Sequence, residues 1–259
     1  QVKSNHLSGI DYTQKISSAQ VKSAILLAGL GADGTTIVRE KLKSRDHTEL
    51  MLKAMGANIK INSESCSVTK LDNPIEPFEL TVPGDPSTAA FFAAASALIQ
   101  RKEIILENIL ANPTRTGFYD ILEKMGAGME YLSREEKSGE LVCKLKITQI
   151  PLQAINIGKD KIPSVIDEIP ILAILATQAE GITKVTGAEE LRVKETDRIH
   201  AICFNLKNMG AEIEEFDDGF ARLYDNKQEV RLPTKISDWD FNYGDYEFIG
   251  TITASIENN

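Results

Sequence analysis

Three long apolar runs divide the chain, and polar stretches separate them. Ala, Leu and Ile dominate the runs, which cover residues 18–29, 87–99 and 167–179. Runs of this length exceed an ordinary strand and predict buried helices. Shorter β-branched segments follow them and predict strands at residues 35–38, 103–106 and 182–186.

The tripeptide Met-Gly-Ala occurs three times, at residues 55–57, 125–127 and 209–211. Each copy closes a segment with helical periodicity, and a glycine just past a helix end suits a left-handed C-terminal cap. An arginine lies upstream of each copy, near polar residues that favour a helix start. These arginines are Arg45, Arg115 and Arg198.

A unit of helix, strand, helix and strand therefore recurs three times. We interpret the chain as an α+β protein built from duplicated subdomains packed about a common axis; a solenoid is the alternative. Prolines crowd residues 71–83 and indicate a boundary.

Composition narrows the function classes. The chain has 259 residues, of which 42% are apolar and 26% charged, as in ordinary globular proteins. Its net charge of −9 argues against nucleic-acid binding and requires any anionic ligand to meet a local basic cluster. The apolar run 89–99 is shorter than the roughly 20 residues that span a bilayer, so no membrane association is expected.

Cysteine and histidine spacing offers no metal site. The three cysteines are Cys66, Cys143 and Cys203, and we expect buried, reduced thiols rather than a disulfide framework. The histidines are His6, His47 and His200; His47 is expected to cap a helix or face solvent. The chain begins with Gln1 rather than Met, which suggests a piece of a longer protein.

The segment 192–198 concentrates charge before a predicted helix start. Arg192, Lys194 and Arg198 stand among Glu195 and Asp197. A solvated loop is one interpretation. Cations at a helix N-terminus oppose the helix dipole, however, and a bound phosphate or carboxylate would reverse the sign of that cost.

Two other helix starts carry candidate chemistry. Ser17, Ser18 and Gln20 open the first helix, where hydroxyls and free N–H groups either cap the helix or bind an anion. Asp167 and Glu168 open the third apolar helix, where an acid either caps the helix or acts as a general base.

Four segments resemble one enzyme family. They are SAQVKSAILLAGL at 18–30, SRDHTE at 44–49, IDEIPILA at 166–173 and EELRVKETDR at 189–198. The chain resembles the 3-phosphoshikimate 1-carboxyvinyltransferase (EPSP synthase) family, in its bacterial class, from about Gly9 to Asp218. The resemblance implies an enolpyruvyl transferase-like fold, an inside-out α/β barrel of repeated β/α subdomains in two lobes. It also implies that residues 1–78 are the last repeat of one lobe, and that residues 79–259 belong to the second lobe, with two repeats and an atypical, truncated tail.

The resemblance also implies substrates and residue roles. The family transfers the enolpyruvyl group of phosphoenolpyruvate to the 5-hydroxyl of shikimate 3-phosphate in aromatic amino acid biosynthesis. Asp167 would be the base for the hydroxyl, and Glu195 would move a proton at the methylene carbon. The implied substrate-binding residues are Ser18, Ala19, Gln20, Arg45, Lys194 and Arg198.

The family further implies a cytoplasmic enzyme that is a monomer when intact and needs neither metal nor organic cofactor. Its partners would be the two small-molecule substrates alone. The first part of the family's length and its last segment are absent here, so we expect the 259 residues alone to be incomplete for catalysis. Where the family has Gly-Asp-His-Arg, this chain reads Gly-Asp-Tyr-Glu at residues 244–247.

Two alternatives stay open. One is the related enzyme that transfers enolpyruvyl to UDP-N-acetylglucosamine, although the sequence at 192–198 differs from that family's. The other is a non-catalytic fragment or paralogue that only binds substrate, which Glu247 and the missing segments favour.

Overall fold

The computed structural model describes residues 6–75, 77, 79–98, 103–148 and 151–222. Within them the chain forms three consecutive α+β units, as the repeat predicts. The first unit contains strand β1 (Asp11–Thr13), helix α1 (Ala19–Gly29), strand β2 (Thr35–Arg39), helix α2 (His47–Ala54) and strands β3 (Ile59–Ile61) and β4 (Ser65–Thr69).

The second and third units follow the same order. The second contains α3 (Pro86–Leu98), β5 (Ile104–Leu110), α4 (Gly117–Lys124), β6 (Gly128–Lys137) and β7 (Glu140–Thr148). The third contains β8 (Asn156–Ile157), α5 (Ile162–Val165), α6 (Ile169–Gln178), β9 (Lys184–Val185), a 3₁₀ turn (Glu189–Val193), α7 (Arg198–Asn208), β10 (Ile213–Phe216) and β11 (Gly219–Arg222).

Each unit forms one sheet with the same topology. The strand orders are β1-β2-β4-β3, β5-β7-β6 and β8-β9-β11-β10. β1 runs parallel to β2 and β8 runs parallel to β9, while the hairpins pair antiparallel. The second unit replaces the parallel edge strand with a single parallel bridge between Gly84 and Ile109. The sequence predicted two strands per unit and missed this leading strand and the second arm of each hairpin.

The Met-Gly-Ala copies end α2, α4 and α7, as predicted. Gly56, Gly126 and Gly210 have φ of 80°, 100° and 90°. In each copy the following alanine N–H donates to a carbonyl in the preceding turn; for Ala57 the acceptor is Leu52, at 2.9 Å. This is the Schellman arrangement, and it turns the chain from a helix into the next strand.

Two separate hydrophobic cores define two lobes. Leu26, Val38, Cys66 and Val68 form the core of the first lobe, which is the first unit. The second and third units share one larger core that extends from Ala89 to Phe220, and together they form the second lobe. The break between the cores falls near the predicted boundary, although residue 78 as its exact position stays a prediction.

A tight turn brings the second lobe against the first. Ser138 and Gly139 join β6 to β7 with φ of 52° and 82°, which suits a two-residue hairpin turn. A Cβ on Gly139 would lie 3.3 Å from the carbonyl oxygen of Leu50 in α2. Glycine thus permits the close approach that places the start of β7 beside α2.

We predict that Gly56→Ala destabilises the chain by roughly 1–2 kcal/mol, because alanine resists positive φ. No atom lies within 4 Å of the added Cβ, so the loss reports the backbone alone. The measurement is urea unfolding.

Gly31→Ala is the matched control, since its nearest contact is 3.8 Å and its φ is not positive. It should be neutral or stabilising. Equal losses in the two variants would contradict a left-handed cap at Gly56.

Candidate functional site

The arginine upstream of each Met-Gly-Ala copy contacts an acid that precedes an apolar helix. Arg198 starts α7, as predicted, whereas α2 and α4 begin two residues after Arg45 and Arg115, and thus two residues later than the sequence suggested. Within the second unit, Arg115 Nη2 donates to Asp85 Oδ1 at 2.7 Å and to Ser87 Oγ at 2.9 Å. Asp85 immediately precedes α3, so this contact joins the starts of both helices of the unit.

Asp167 lies between two of these arginines. Arg45 Nη2 from the first lobe donates to Asp167 Oδ2, and Arg198 Nη1 lies 3.7 Å from Asp167 Oδ1. Arg198 also donates to Glu195 Oε1, from Nε at 2.9 Å and from Nη2 at 2.6 Å. The structure thus brings four of the predicted site residues together, at the junction of the lobes.

This cluster is open to solvent. The side chains of Arg45 and Asp167 are 35% and 39% exposed. Because α6 begins at Ile169, Asp167 precedes the helix, and its carboxylate contacts arginines. The capping interpretation of Asp167 is therefore wrong. An exposed acid held by two guanidinium groups is instead accessible to a ligand.

Glu168 has the opposite environment from its neighbour. It is 4% exposed, and burial raises its pKa above the usual value, against a hydrogen bond from Ser87. The charge of Asp167 acts in the same direction as burial. Of the adjacent acids, only Asp167 is available to a ligand.

The start of α1 carries the other predicted binding residues. Ser18 is the N-cap, and its Oγ accepts from Val21 N at 3.4 Å. Ala19 is half-buried, and Gln20 is exposed. Among the described residues, no hydrogen bond or ion pair joins this helix start to Asp167, so its role in binding stays a prediction.

A buried ion cluster, which the sequence did not predict, ties α1 to α2 and to the segment before it. Lys22 is fully buried, and its Nζ lies 2.8 Å from Glu40 Oε1 and 2.7 Å from Glu49 Oε1. Burial lowers the pKa of Lys22, but the hydrogen bonds that its ammonium donates to both glutamates outweigh burial, and the pKa is raised. A sequence signal existed, since Lys22 stands one helical turn from the buried Leu26.

Arg192 serves the fold of the charged segment. Its guanidinium lies 2.7 Å from Asp197 Oδ2 and 3.0 Å from Glu215 Oε1, and it also donates to backbone carbonyls at residues 216 and 217. Asp197 in turn caps α7 by accepting from His200 N at 3.0 Å. These contacts hold the segment ahead of α7 in place.

Lys194 is separate from the cluster. Its ammonium lies 2.5 Å from Glu190 Oε1, and its side chain is 30% exposed. Lys194 and Arg198 are the two residues of this segment that the resemblance assigns to substrate binding, and the structure brings Arg198 to Asp167 but pairs Lys194 with Glu190. The role of Lys194 in binding stays a prediction.

His47, expected to cap a helix or face solvent, contacts the second lobe instead. Its Nδ1 lies 2.5 Å from Glu140 Oε1. Over the described part of the chain, no three His, Cys, Asp or Glu side chains gather as a metal site. In the same part, helices long and apolar enough to cross a bilayer are absent. Cys66, Cys143 and Cys203 are buried and unpaired, as expected.

The fold and site define a two-lobed α+β protein with an acid held by cations from both lobes. The chain belongs to the EPSP synthase family: residues 1–237 match the family's model, described as EPSP synthase (3-phosphoshikimate 1-carboxyvinyltransferase). This confirms the family that the four segments suggested.

Relatives and solved structures agree. The chain is 51% identical over 233 residues to a 3-phosphoshikimate 1-carboxyvinyltransferase of Persephonella marina, covering 89% of this chain and 54% of the relative. It is 48% identical over 240 residues to that of Bacillus subtilis, covering 93% of this chain and 54% of the relative. The EPSP synthase structure from Acinetobacter baumannii superposes with a TM-score of 0.77 at 41% identity, over 83% of this chain and 48% of that one.

The chain spans about half the length of the curated relatives it matches. The stretch with Glu247, where the sequence departs from the family pattern, lies outside the described residues.

We predict that Asp85→Asn lowers the unfolding free energy by about 0.5–1 kcal/mol at pH 7, because the charged contact to Arg115 is lost. Burial raises the pKa of Asp85, but hydrogen bonds from Thr88 and the charge of Arg115 outweigh it, and the pKa is lowered. A lowered pKa gives stability above the unfolded value near 3.9, which disappears as pH falls through the folded pKa.

Chemical unfolding from pH 7 to about pH 3 measures this, and the difference in unfolding free energy between the wild type and the variant should narrow toward the acid end. A gap that stays constant with pH would show that the charge of Asp85 is not responsible.

Proposed function

We propose that this chain is the part of an enolpyruvyl transferase that binds shikimate 3-phosphate and supplies the carboxylate that acts as the catalytic base. The whole reaction transfers the enolpyruvyl group of phosphoenolpyruvate to the 5-hydroxyl of shikimate 3-phosphate and releases phosphate. Asp167 carries the proposal, because it is exposed between Arg45 of one lobe and Arg198 of the other. The names of the relatives support the choice of reaction.

Arg45 and Arg198 suit anionic substrates. A guanidinium presents a planar fork that matches carboxylate and phosphate oxygens, and such charge-assisted bonds are the strong ones. In this structure Asp167 and Glu195 occupy those forks. A bound substrate anion takes their place, so ligand binding releases the acids for chemistry at the same step.

The chemistry then needs a base and a proton carrier. Asp167 takes the proton of the 5-hydroxyl while that oxygen attacks C2 of phosphoenolpyruvate, and the methylene carbon gains a proton to give a tetrahedral intermediate. Loss of a methyl proton, with cleavage of the bond to phosphate, yields the enolpyruvyl ether. Glu195 is the proposed partner at that carbon.

Glu195 is suited to change its proton affinity during the reaction. A backbone hydrogen bond, followed by one from Arg198, lowers the pKa of Glu195 in this structure. When Arg198 turns to a substrate anion, that hydrogen bond is lost, and Glu195 holds a proton more readily. Ser18, Ala19, Gln20 and Lys194 complete the proposed binding set. The intact enzyme is proposed to act in the cytoplasm as a monomer, without metal or cofactor.

Calorimetry on the 259-residue chain tests the function. Shikimate 3-phosphate should bind, UDP-N-acetylglucosamine should not, and Arg45→Ala should weaken binding by about 10- to 100-fold, as expected for one charge-assisted bond. A phosphate-release assay with both substrates should stay at the blank rate, because the chain spans half of its relatives.

Each other outcome selects an alternative. Binding of the uridine nucleotide alone would favour the related transferase. Absence of binding to either ligand would favour a non-catalytic paralogue. Steady phosphate release that Asp167→Ala abolishes would show that these 259 residues suffice for turnover.

A further inference from the structure

The two residues that follow Arg45 also contact the second lobe. Asn112 Nδ2, after β5, donates to Asp46 Oδ1 at 2.8 Å. His47 Nδ1, at the start of α2, lies 2.5 Å from Oε1 of Glu140, at the start of β7. Three consecutive side chains of the first lobe thus each reach a different segment of the second.

Asn112 is the centre of these contacts. Its second amide N–H donates to Glu140 Oε2 at 3.0 Å, and its Oδ1 accepts from Thr114 N at 2.8 Å and from Thr114 Oγ1 at 2.7 Å. The residue is 2% exposed, so water does not compete. A flipped amide would turn its oxygen toward the carboxylates of Asp46 and Glu140, and therefore only one orientation fits.

The backbone before Arg45 is held from the other side. Ser44 Oγ donates to Glu40 Oε2 at 2.6 Å, and Lys22 Nζ lies 3.4 Å from the Ser44 carbonyl. The same Lys22 binds Glu40 and Glu49 in the core of the first lobe. Arg45 therefore extends from a backbone that is fixed on both sides.

We propose that these contacts form an interlobe bracket that positions Arg45 opposite Asp167, and that its members are positioning residues for the reaction: Asp46, His47, Asn112 and Glu140. The inference rests on the proposed function of Arg45 and Asp167. It adds residues that touch neither substrate and act through Arg45.

The Arg45–Asp167 pair cannot hold this geometry by itself. Both side chains are more than a third exposed, and exposed ion pairs contribute only about 0–1 kcal/mol. The other members of the bracket are more buried: Asn112 is 2% exposed, Asp46 is 6% exposed and the Glu140 side chain is 14% exposed, whereas the His47 side chain is 36% exposed. Because the bracket fixes the backbone, Arg45 loses less conformational entropy when it binds a ligand.

Asp46 stays an acceptor in this environment. Burial raises its pKa, but hydrogen bonds from Lys43 and Asn112 outweigh burial, and the pKa is lowered. The charged form is therefore the one that meets the Asn112 amide.

The test variant is Asn112→Asp. It keeps the shape and the oxygen that accepts from Thr114, but replaces both N–H donors with an acceptor between two carboxylates. The control is Asn58→Asp. In the wild-type chain, Asn58 Nδ2 donates to Thr69 Oγ1 at 3.0 Å, and this contact lies within the first lobe. Both changes add one negative charge.

The readout without substrate is the ¹⁵N NMR signal of the Arg45 guanidinium in the 259-residue chain, assigned with Arg45→Lys. The wild type and Asn58→Asp should show a slowly rotating guanidinium, and Asn112→Asp should lose it. A purely structural role would lower the melting temperature and leave the Arg45 signal intact, which would overturn the proposal.

A second pair of variants tests the same proposal if Asn112→Asp does not fold. His47→Ala removes the contact to Glu140, whereas the amide of His47→Gln can still donate to it. The Arg45 signal should disappear in the first variant and return in the second. If His47→Ala retains the signal, the bracket does not position Arg45.

Shikimate 3-phosphate affinity separates this inference from the proposed function. Asn112→Asp should weaken binding about 10-fold in the wild-type background and not at all in Arg45→Ala, as a double-mutant cycle requires of a residue acting through Arg45. If the wild-type chain fails to bind shikimate 3-phosphate, the proposed function is refuted, but the Arg45 NMR signal in the variants still tests the bracket. Equal weakening in both backgrounds refutes the bracket alone.

Discussion

The contact of Arg45 with Asp167 is the interaction on which this account depends. The two residues are 122 positions apart and belong to lobes with separate hydrophobic cores, yet their side chains meet in a solvent-open cluster. An exposed ion pair of this kind is weak, so other contacts must bring the two sites together. The turn at Gly139 and the buried amide of Asn112 provide them.

The repeat explains why Arg45 is available for this contact. In the second unit, Arg115 pairs with Asp85, and in the third, Arg198 approaches Asp167; each acid precedes the first apolar helix of its own unit. The first unit has no acid in the first turn of α1, where Ser18 caps the helix instead. Among the described residues of its own unit, Arg45 therefore lacks an equivalent carboxylate partner, and the carboxylate that it contacts belongs to the other lobe.

Local signals in the sequence predicted much of the fold. The Met-Gly-Ala copies marked three helix ends correctly because a Schellman cap depends on a few adjacent residues. The Arg198 start of α7 was predicted for the same reason, since Asp197 caps it. The leading parallel strands were missed because β8 is only two residues long and has no pattern of its own.

The site was predictable only in part. Asp167, Arg45 and Arg198 were suggested by motif resemblance, and capping remained an open alternative for Asp167 until the fold placed its carboxylate between guanidinium groups. Asn112 and Glu140 were missed because their partners lie 66 and 93 positions away, and no local periodicity encodes such contacts.

A crystal structure of the chain with shikimate 3-phosphate tests the proposed role of the Arg45–Asp167 pair most directly. We expect that the Arg45 guanidinium leaves Asp167 for the ligand, with the Asp167 carboxylate within about 2.6–3.2 Å of the 5-hydroxyl. A ligand bound elsewhere, with the Arg45–Asp167 pair intact, would contradict it.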